Sequence, residues 1–272
     1  MLYGRGVWQF VFVLWLGCLT ATRVVAEPVS ESTGDVLPAI ALIIDDLGTK
    51  RKLGKRIVNL PGPVACAFLP YGEYTASLAR QAHGQHKEVM LHLPMQAVED
   101  APAMLGKGVL TLDMTKPLFR ETLAHDLAAV PHLSGINNHM GSLLTRHPGS
   151  MAWLMEAIVS RGDLFFVDSR TTSATVAEQL ALEYGVPNTS RNVFLDNVQT
   201  MAAVREQLQK LIAIARRDGT ALGIGHPYPA TVAVLAEELG QLPQQGVRLL
   251  PVSGVIKLQQ ERKTTWQASL SR

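Results

Sequence analysis

Cysteine is scarce in this chain, with Cys18 and Cys66 the only two in 272 residues. Cys18 lies in the leading apolar stretch, and if that stretch is removed, Cys66 is left alone. An intramolecular disulfide is then excluded even in an oxidising compartment. Cys66 sits in the apolar run 64–69, which reads as a buried, inert thiol rather than a nucleophile. Excess charge of one sign is also missing. Removing residues 1–26 takes away Arg5 and Arg23 from the 25 basic residues and none of the 23 acidic ones, so the remaining chain has a formal net charge of zero. With no Lys/Arg cluster to restore an electrostatic footprint, nucleic acid and anionic lipid are excluded as expected partners. An uncharged or zwitterionic partner is expected instead. No internal repeat and no low-complexity tract stands out.

A long hydrophobic run is lacking too. Residues 7–19 are nearly all apolar, but about 13 residues are short for a bilayer span, which takes about 20. Arg5 before that run, and Val24-Val25-Ala26 after it, give the order of a cleaved secretory signal. The expectation is a signal peptide at 1–26, release to the periplasm or cell envelope, and no stable membrane insertion after cleavage, with an uncleaved anchor as the alternative. Gly17-Cys18 hints at a lipoprotein site, but Trp15 stands where a small aliphatic residue is usual. The segment 27–38 reads as a polar linker, and 259–272, polar and without apolar periodicity, as a flexible tail.

What is present between those ends is an alternation of short apolar, β-branched runs with longer stretches of helical periodicity. That pattern specifies an α/β fold with a mostly parallel sheet and crossover helices. Strands are expected at 39–44, 64–69, 88–91, 135–137, 164–167, 193–195, 221–225 and 248–252. Their unbroken hydrophobicity fits strands covered on both faces. The clearest helices are expected at 117–130, 148–161, 173–184 and 200–217; in the last, Val204, Leu208, Leu211, Ile212 and Ala215 recur at helical spacing. The connection 97–115 is long and contains glycine, as a lid or hairpin would.

Nearly every unusual polar residue falls directly after an expected strand: Asp45-Asp46, His92, Asn138-His139, Asp168-Ser169-Arg170, Asp196 and His226-Pro227. In a parallel α/β fold the carboxyl ends of the strands share one rim, and ligand sites assemble there. Taken singly, each residue has a structural explanation: turn chemistry for Asp before Gly, an Asx turn or helix cap for Asp196. Two adjacent carboxylates and three histidines on one rim point further, because buried ionisable groups need partners or a metal. Carboxylate plus imidazole suits a divalent ion, with zinc the first choice for an open three-ligand site. Hydrolysis is the chemistry such an ion favours.

Five ordered motifs carry a family resemblance: Ile43-Ile44-Asp45-Asp46-Leu47-Gly48, Leu91-His92-Leu93-Pro94-Met95, Asn138-His139-Met140-Gly141-Ser142, Phe166-Val167-Asp168-Ser169-Arg170 and Gly225-His226-Pro227. Together they resemble the divergent polysaccharide deacetylase family of bacterial envelope proteins, over roughly residues 39–256. The resemblance implies an irregular (β/α) barrel of about seven or eight mostly parallel strands, placed at 39–258. It also implies that the first aspartate of the pair, Asp45, is a general base and the second, Asp46, a metal ligand. The wider group uses two histidines four residues apart; His139 fills the second place, whereas the first falls on Gly135. His92, at the end of the neighbouring strand, is therefore taken as the replacement ligand. His226 fits the late histidine that protonates the leaving amine. Asp168 is expected to orient it, and Arg170 to hold a carboxylate or the acyl oxygen.

The function expected is metal-dependent removal of N-acetyl groups from an envelope polysaccharide or peptidoglycan-like glycan, with zinc as cofactor. The alternative, motivated by Gly135, is an inactive glycan-binding or scaffolding protein that keeps the metal. A third reading is a metal-dependent hydrolase of another envelope bond.

Overall fold

The computed structural model describes residues 37–99 and 106–270. The expected signal peptide, nearly all of the linker and part of the 97–115 connection lie outside the described residues. Strands β1 (Ala39–Leu47), β2 (Ala65–Phe68), β3 (Val89–Met95), β4 (Leu133–Met140), β5 (Phe165–Asp168), β6 (Asn188–Ser190), β7 (Val193–Phe194), β8 (Thr220–Gly225) and β9 (Arg248–Leu249) form one sheet. Its order is β6-β5-β4-β3-β2-β1-β8-β7, with β9 added beside β1, and every pairing is parallel. This is the expected (β/α) barrel-like fold. The two edges of the sheet are consecutive in the chain, separated only by Arg191 and Asn192. The Arg191 N–H donates to Asp168 O on β5, next to one edge (3.0 Å), and the Asn192 N–H to Leu222 O on β8, next to the other (2.9 Å).

Strand alternation builds two apolar layers. Ile40, Leu42, Ile44, Cys66 and Phe68 face the helices, where Leu78, Phe119, Leu154 and Leu208 cover them. Ala41, Ile43, Ala65, Ala67, Met90 and Val167 face inward and meet only one helix, through Val252, Val255 and Ile256. The two layers together account for the unbroken hydrophobicity of the strands, since neither face meets water. Cys66 is fully buried, and burial pushes its thiol up to about 12, consistent with an inert side chain.

The helices are α1 (Arg51–Val58), α2 (Thr75–Gly84), α3 (Lys116–Ala129), α4 (Pro148–Arg161), α5 (Ala177–Glu183), α6 (Met201–Asp218), α7 (Pro229–Glu238) and α8 (Val252–Leu270). The α6 start is fixed by Thr200, whose hydroxyl accepts the Ala203 N–H, and its end by Gly219 at φ 82°, a conformation glycine adopts without strain. Two expectations need correction. The helix expected from 173 starts only at Ala177, because the Thr175 hydroxyl accepts the Ala177 N–H at 3.2 Å and itself donates to Asp168; such hydroxyls compete with helix formation. The tail expected from 259 is helical as far as Leu270. Its Gln, Glu, Arg and Lys residues are good helix formers despite the missing apolar stripe, and Gln259 and Arg262 bond to Thr220 and the Asp218 carbonyl.

Helix α8 closes the amino-terminal end of the barrel. Glu88, just before β3, accepts the Val252 and Ser253 N–H groups at 2.6 and 3.1 Å, while Gln259 reaches the first residue of β8. One end is thus sealed by packing. The opposite end carries the polar residues.

Candidate functional site

At the end of β1 the register slips between Ile44 and Leu47, and Asp46 takes a left-handed conformation at φ 56°. In a regular strand adjacent side chains point to opposite faces. The bulge removes that alternation, as bulges near sites commonly do, and both carboxylates reach the same rim. Asp is one of the few side chains that tolerates this backbone at modest cost.

Across the rim, His92 on β3 stands in register with Asn137 on β4. His139 lies two residues beyond Asn137 and therefore on the same face. Asp46 Oδ1 is 3.3 Å from His92 Nε2 and 3.2 Å from His139 Nδ1, and the two ring nitrogens are 3.0 Å apart. Among the described residues this is the one group of three such side chains whose atoms converge closely enough to hold a metal ion. Asp46 Oδ1 is shut off from solvent with no properly directed hydrogen-bond donor. Four ligands around zinc at about 2.0–2.1 Å are about 3.3–3.4 Å apart in a tetrahedron; the observed triangle has close to those edges. The donor set fits a divalent ion, with Asp46, His92 and His139 as its holders.

Gly135 is four residues before His139 in the same extended strand, so about 13 Å separates the two positions. A Cβ at Gly135 would also lie 2.3 Å from the Phe165 ring. No histidine at that position could share an ion with His139 here, and His92 from the adjacent strand lies where a second imidazole is needed.

Asp45 is buried. Burial pushes its carboxyl up, partly offset by His92, His226 and the Asn137 amide, which donates to Asp45 Oδ1 at 2.9 Å. Burial would raise Asp46 as well, but the two imidazoles hold it far below the usual range. Burial opposes the charged form of His92, yet Asp45 and Asp46 raise its pKa.

His226, after β8, has Nε2 3.9 Å from Asp46 Oδ2. Its Nδ1 is 3.0 Å from Asp196 Oδ1. Asp196 Oδ2 accepts the His226 backbone N–H at 2.5 Å and the Thr231 hydroxyl at 2.8 Å. Burial works against protonating His226, but Asp196, Asp45 and Asp46 together raise its pKa.

Two expected residues lie elsewhere. Asp168 does not orient His226. It accepts the Arg170 N–H (2.8 Å) and the Thr175 hydroxyl (2.9 Å), because β5 sits between β4 and β6, whereas β7, which precedes Asp196, adjoins β8. Arg170, at φ 48°, pairs with Glu178 at 2.7 Å rather than with any rim group. The guanidinium nearer the rim is that of Arg191, which donates to the carbonyls of Ser169 (2.6 Å) and Arg170 (2.8 Å). Two rim partners, Asn137 and Arg191, have no distinguishing mark in the sequence: Asn137 lies inside β4, and Arg191 directly follows the short polar β6.

Two cavities meet at His139. One, about 340 Å³, is lined by Tyr71, Pro94, Met95, Lys107 and Met140; the other, about 420 Å³, by Asp46, Lys50, His226 and Tyr228. Both fall in the size range of small-ligand sites.

The model of the divergent polysaccharide deacetylase family matches residues 42–256. The uncharacterized protein YibQ of Escherichia coli (strain K12) is 36% identical over 204 residues, which make up 75% of this chain and 63% of YibQ. An uncharacterized protein of Haemophilus influenzae is 36% identical over 205 residues, 75% of this chain and 72% of that one. The crystal structure of an uncharacterized protein from Agrobacterium tumefaciens C58 superposes with a TM-score of 0.77 at 21% identity, covering 82% of this chain and 90% of that chain. That likeness is one of fold.

Proposed function

The chain belongs to the divergent polysaccharide deacetylase family, and from that premise and the geometry of the rim we propose that it is a metal-dependent hydrolase that removes N-acetyl groups from an envelope glycan. The observation that carries the proposal is the buried Asp46 Oδ1, which lacks a directed donor and faces His92 Nε2 and His139 Nδ1. Zinc suits an open site with these three ligands, and when bound it supplies Lewis acidity towards water and an acyl oxygen. Asp45, buried beside the ligands and held by Asn137, takes the proton of the attacking water as general base. His226 delivers a proton to the leaving amine. Asp196 keeps the imidazole in place by binding Nδ1, leaving Nε2 directed to the rim. The open site on either side of His139 leaves room for a glycan. We place the mature protein in the periplasm or cell envelope, with residues 1–26 as a cleaved signal peptide. No helix among the described residues is long and apolar enough to cross a membrane.

His92 also bears on the alternative of an inactive glycan-binding protein, which was motivated by the glycine at position 135. The missing imidazole has a counterpart in the neighbouring strand, so that motive weakens. Acetate release from N-acetylated oligosaccharides, with and without added zinc, tests the proposal. Zinc-dependent release is expected, and His139→Ala should lose both metal and activity while keeping the fold. Fully metallated wild-type protein that releases no acetate from any such glycan would overturn the enzyme reading in favour of the binding protein.

A further inference from the structure

Asn137 is fully buried in the middle of the rim, and all three of its polar contacts are made to site residues or their neighbour. Its Nδ2 donates to Asp45 Oδ1 at 2.9 Å and to Ser169 Oγ at 3.2 Å. Its Oδ1 lies 3.1 Å from His92 Nδ1. The orientation of the amide is determined by the first contact, because turning it over would set two oxygens, Oδ1 and a carboxylate, against each other. An amide oxygen only accepts, so the hydrogen between Asn137 and His92 belongs to Nδ1. The lone pair of His92 is then on Nε2, the nitrogen that faces Asp46 Oδ1 and His139 Nδ1.

Asp45 Oδ1 is itself only 3.6 Å from His92 Nδ1. Without the amide between them, that carboxylate is the natural acceptor for the imidazole, and the resulting pair would engage the base and turn the ring. We infer that Asn137 is a positioning residue that keeps His92 and Asp45 in separate roles, fixing His92 in the Nδ1–H tautomer as a metal ligand through Nε2 while orienting Asp45 as the base. This rests on the metal-centre reading above. Groups that bond to the far nitrogen of a ligating histidine typically change metal affinity by about 10- to 100-fold when removed.

Two variants separate the two roles. Asn137→Leu keeps the size and loses both contacts, whereas Asn137→Asp keeps an acceptor for His92 and gives Asp45 a carboxyl neighbour that either repels it or shares its proton. Zinc affinity by chelator competition should fall about 10- to 100-fold in the first and stay within about threefold of wild type in the second. Acetate release by fully metallated Asn137→Asp should nevertheless drop at least about tenfold. In protein with isotope-labelled histidine, loaded with an NMR-active cadmium isotope, cadmium–nitrogen coupling at His92 is expected at Nε2 alone. Coupling at Nδ1, or wild-type zinc affinity in a folded Asn137→Leu, would overturn the inference while leaving the metal centre standing. If Asn137→Leu does not fold, the wild-type coupling and the Asn137→Asp affinity decide. Wild-type protein that binds neither metal would overturn the metal-centre reading and this inference together.

Discussion

The two ends of the barrel both bury ionisable groups, and they treat them differently. At the closed end, Lys87 is buried with its ammonium donating to the carbonyls of Leu60 and Gly62 at 2.8 and 2.7 Å, and Glu88 takes up two N–H groups of α8. These charges are matched by backbone groups, as a stable interior requires. At the open end Asp45, His92, Asn137, Asp196 and His226 satisfy one another, but Asp46 Oδ1 faces two imidazole nitrogens without a directed donor. Ligand-type side chains converge with unmatched polar capacity at the open end, whereas Lys87 and Glu88 are matched by backbone at the closed one.

Substitutions at the two ends should therefore fail in different ways. The largest effect is expected from Asp45→Asn at the open end: metal content by elemental analysis stays at the wild-type value, while acetate release falls about 100- to 10,000-fold, the usual cost of losing a general base. Loss of the metal in that variant would mean that both adjacent carboxylates ligate, and the contrast between Asp45 and Asp46 would collapse. At the closed end, Lys87→Met keeps the aliphatic stem but strips the donors from two carbonyls. Chemical denaturation should show a loss of about 1–3 kcal/mol, with acetate release per folded molecule unchanged.

A third region sharpens the contrast. Asp126 on α3 is fully buried with no well-directed donor to either carboxylate oxygen, and burial, partly offset by the nearby Tyr71 hydroxyl, pushes its carboxyl up to about 7. The fold therefore favours the protonated form. Below about pH 4 the unfolded chain is protonated there too and the group costs nothing; the cost grows as pH rises and levels off above about pH 7. Asp126→Asn should accordingly be more stable than wild type at pH 8 and hardly more stable at pH 4, as read by urea denaturation. A gain independent of pH would place the effect in packing instead. The smallest effect is expected for Arg170→Ala. Its pair with Glu178 is exposed, and such pairs contribute about 0–1 kcal/mol; acetate release within about twofold of wild type would agree with its position away from the rim.

Hydrophobic pattern alone made eight of the strands legible, because strands buried on both faces leave unbroken apolar runs. The missed strand, β6, is Asn188-Thr189-Ser190, short and polar, and no pattern marks it. The residues of the metal triangle were legible from their places after strands, but their geometry was not: it depends on the β1 bulge and on a left-handed Asp46. The partner of His226 shows the limit most clearly. Asp168 and Asp196 both follow a strand, and only the lateral order of the sheet, which long-range pairing of β1 with β8 establishes, selects Asp196. Asn137 is a further case, since an amide inside a strand has no distinguishing sequence signal until its neighbours across the sheet are known.

The junction at Arg191 and Asn192 has a consequence for the behaviour of this protein in a crowded compartment. An open sheet ends in two rows of unpaired backbone groups, each a template on which another chain can add a strand and start aggregation. Here those margins are only three and two residues long. The peptide that joins them turns its own N–H groups onto the adjoining strands, and the Asn192 side chain accepts the Leu222 N–H at 2.7 Å. The barrel thus gains much of the protection of a closed cylinder without a continuous ladder of hydrogen bonds, and a foreign strand finds little at the seam on which to grow.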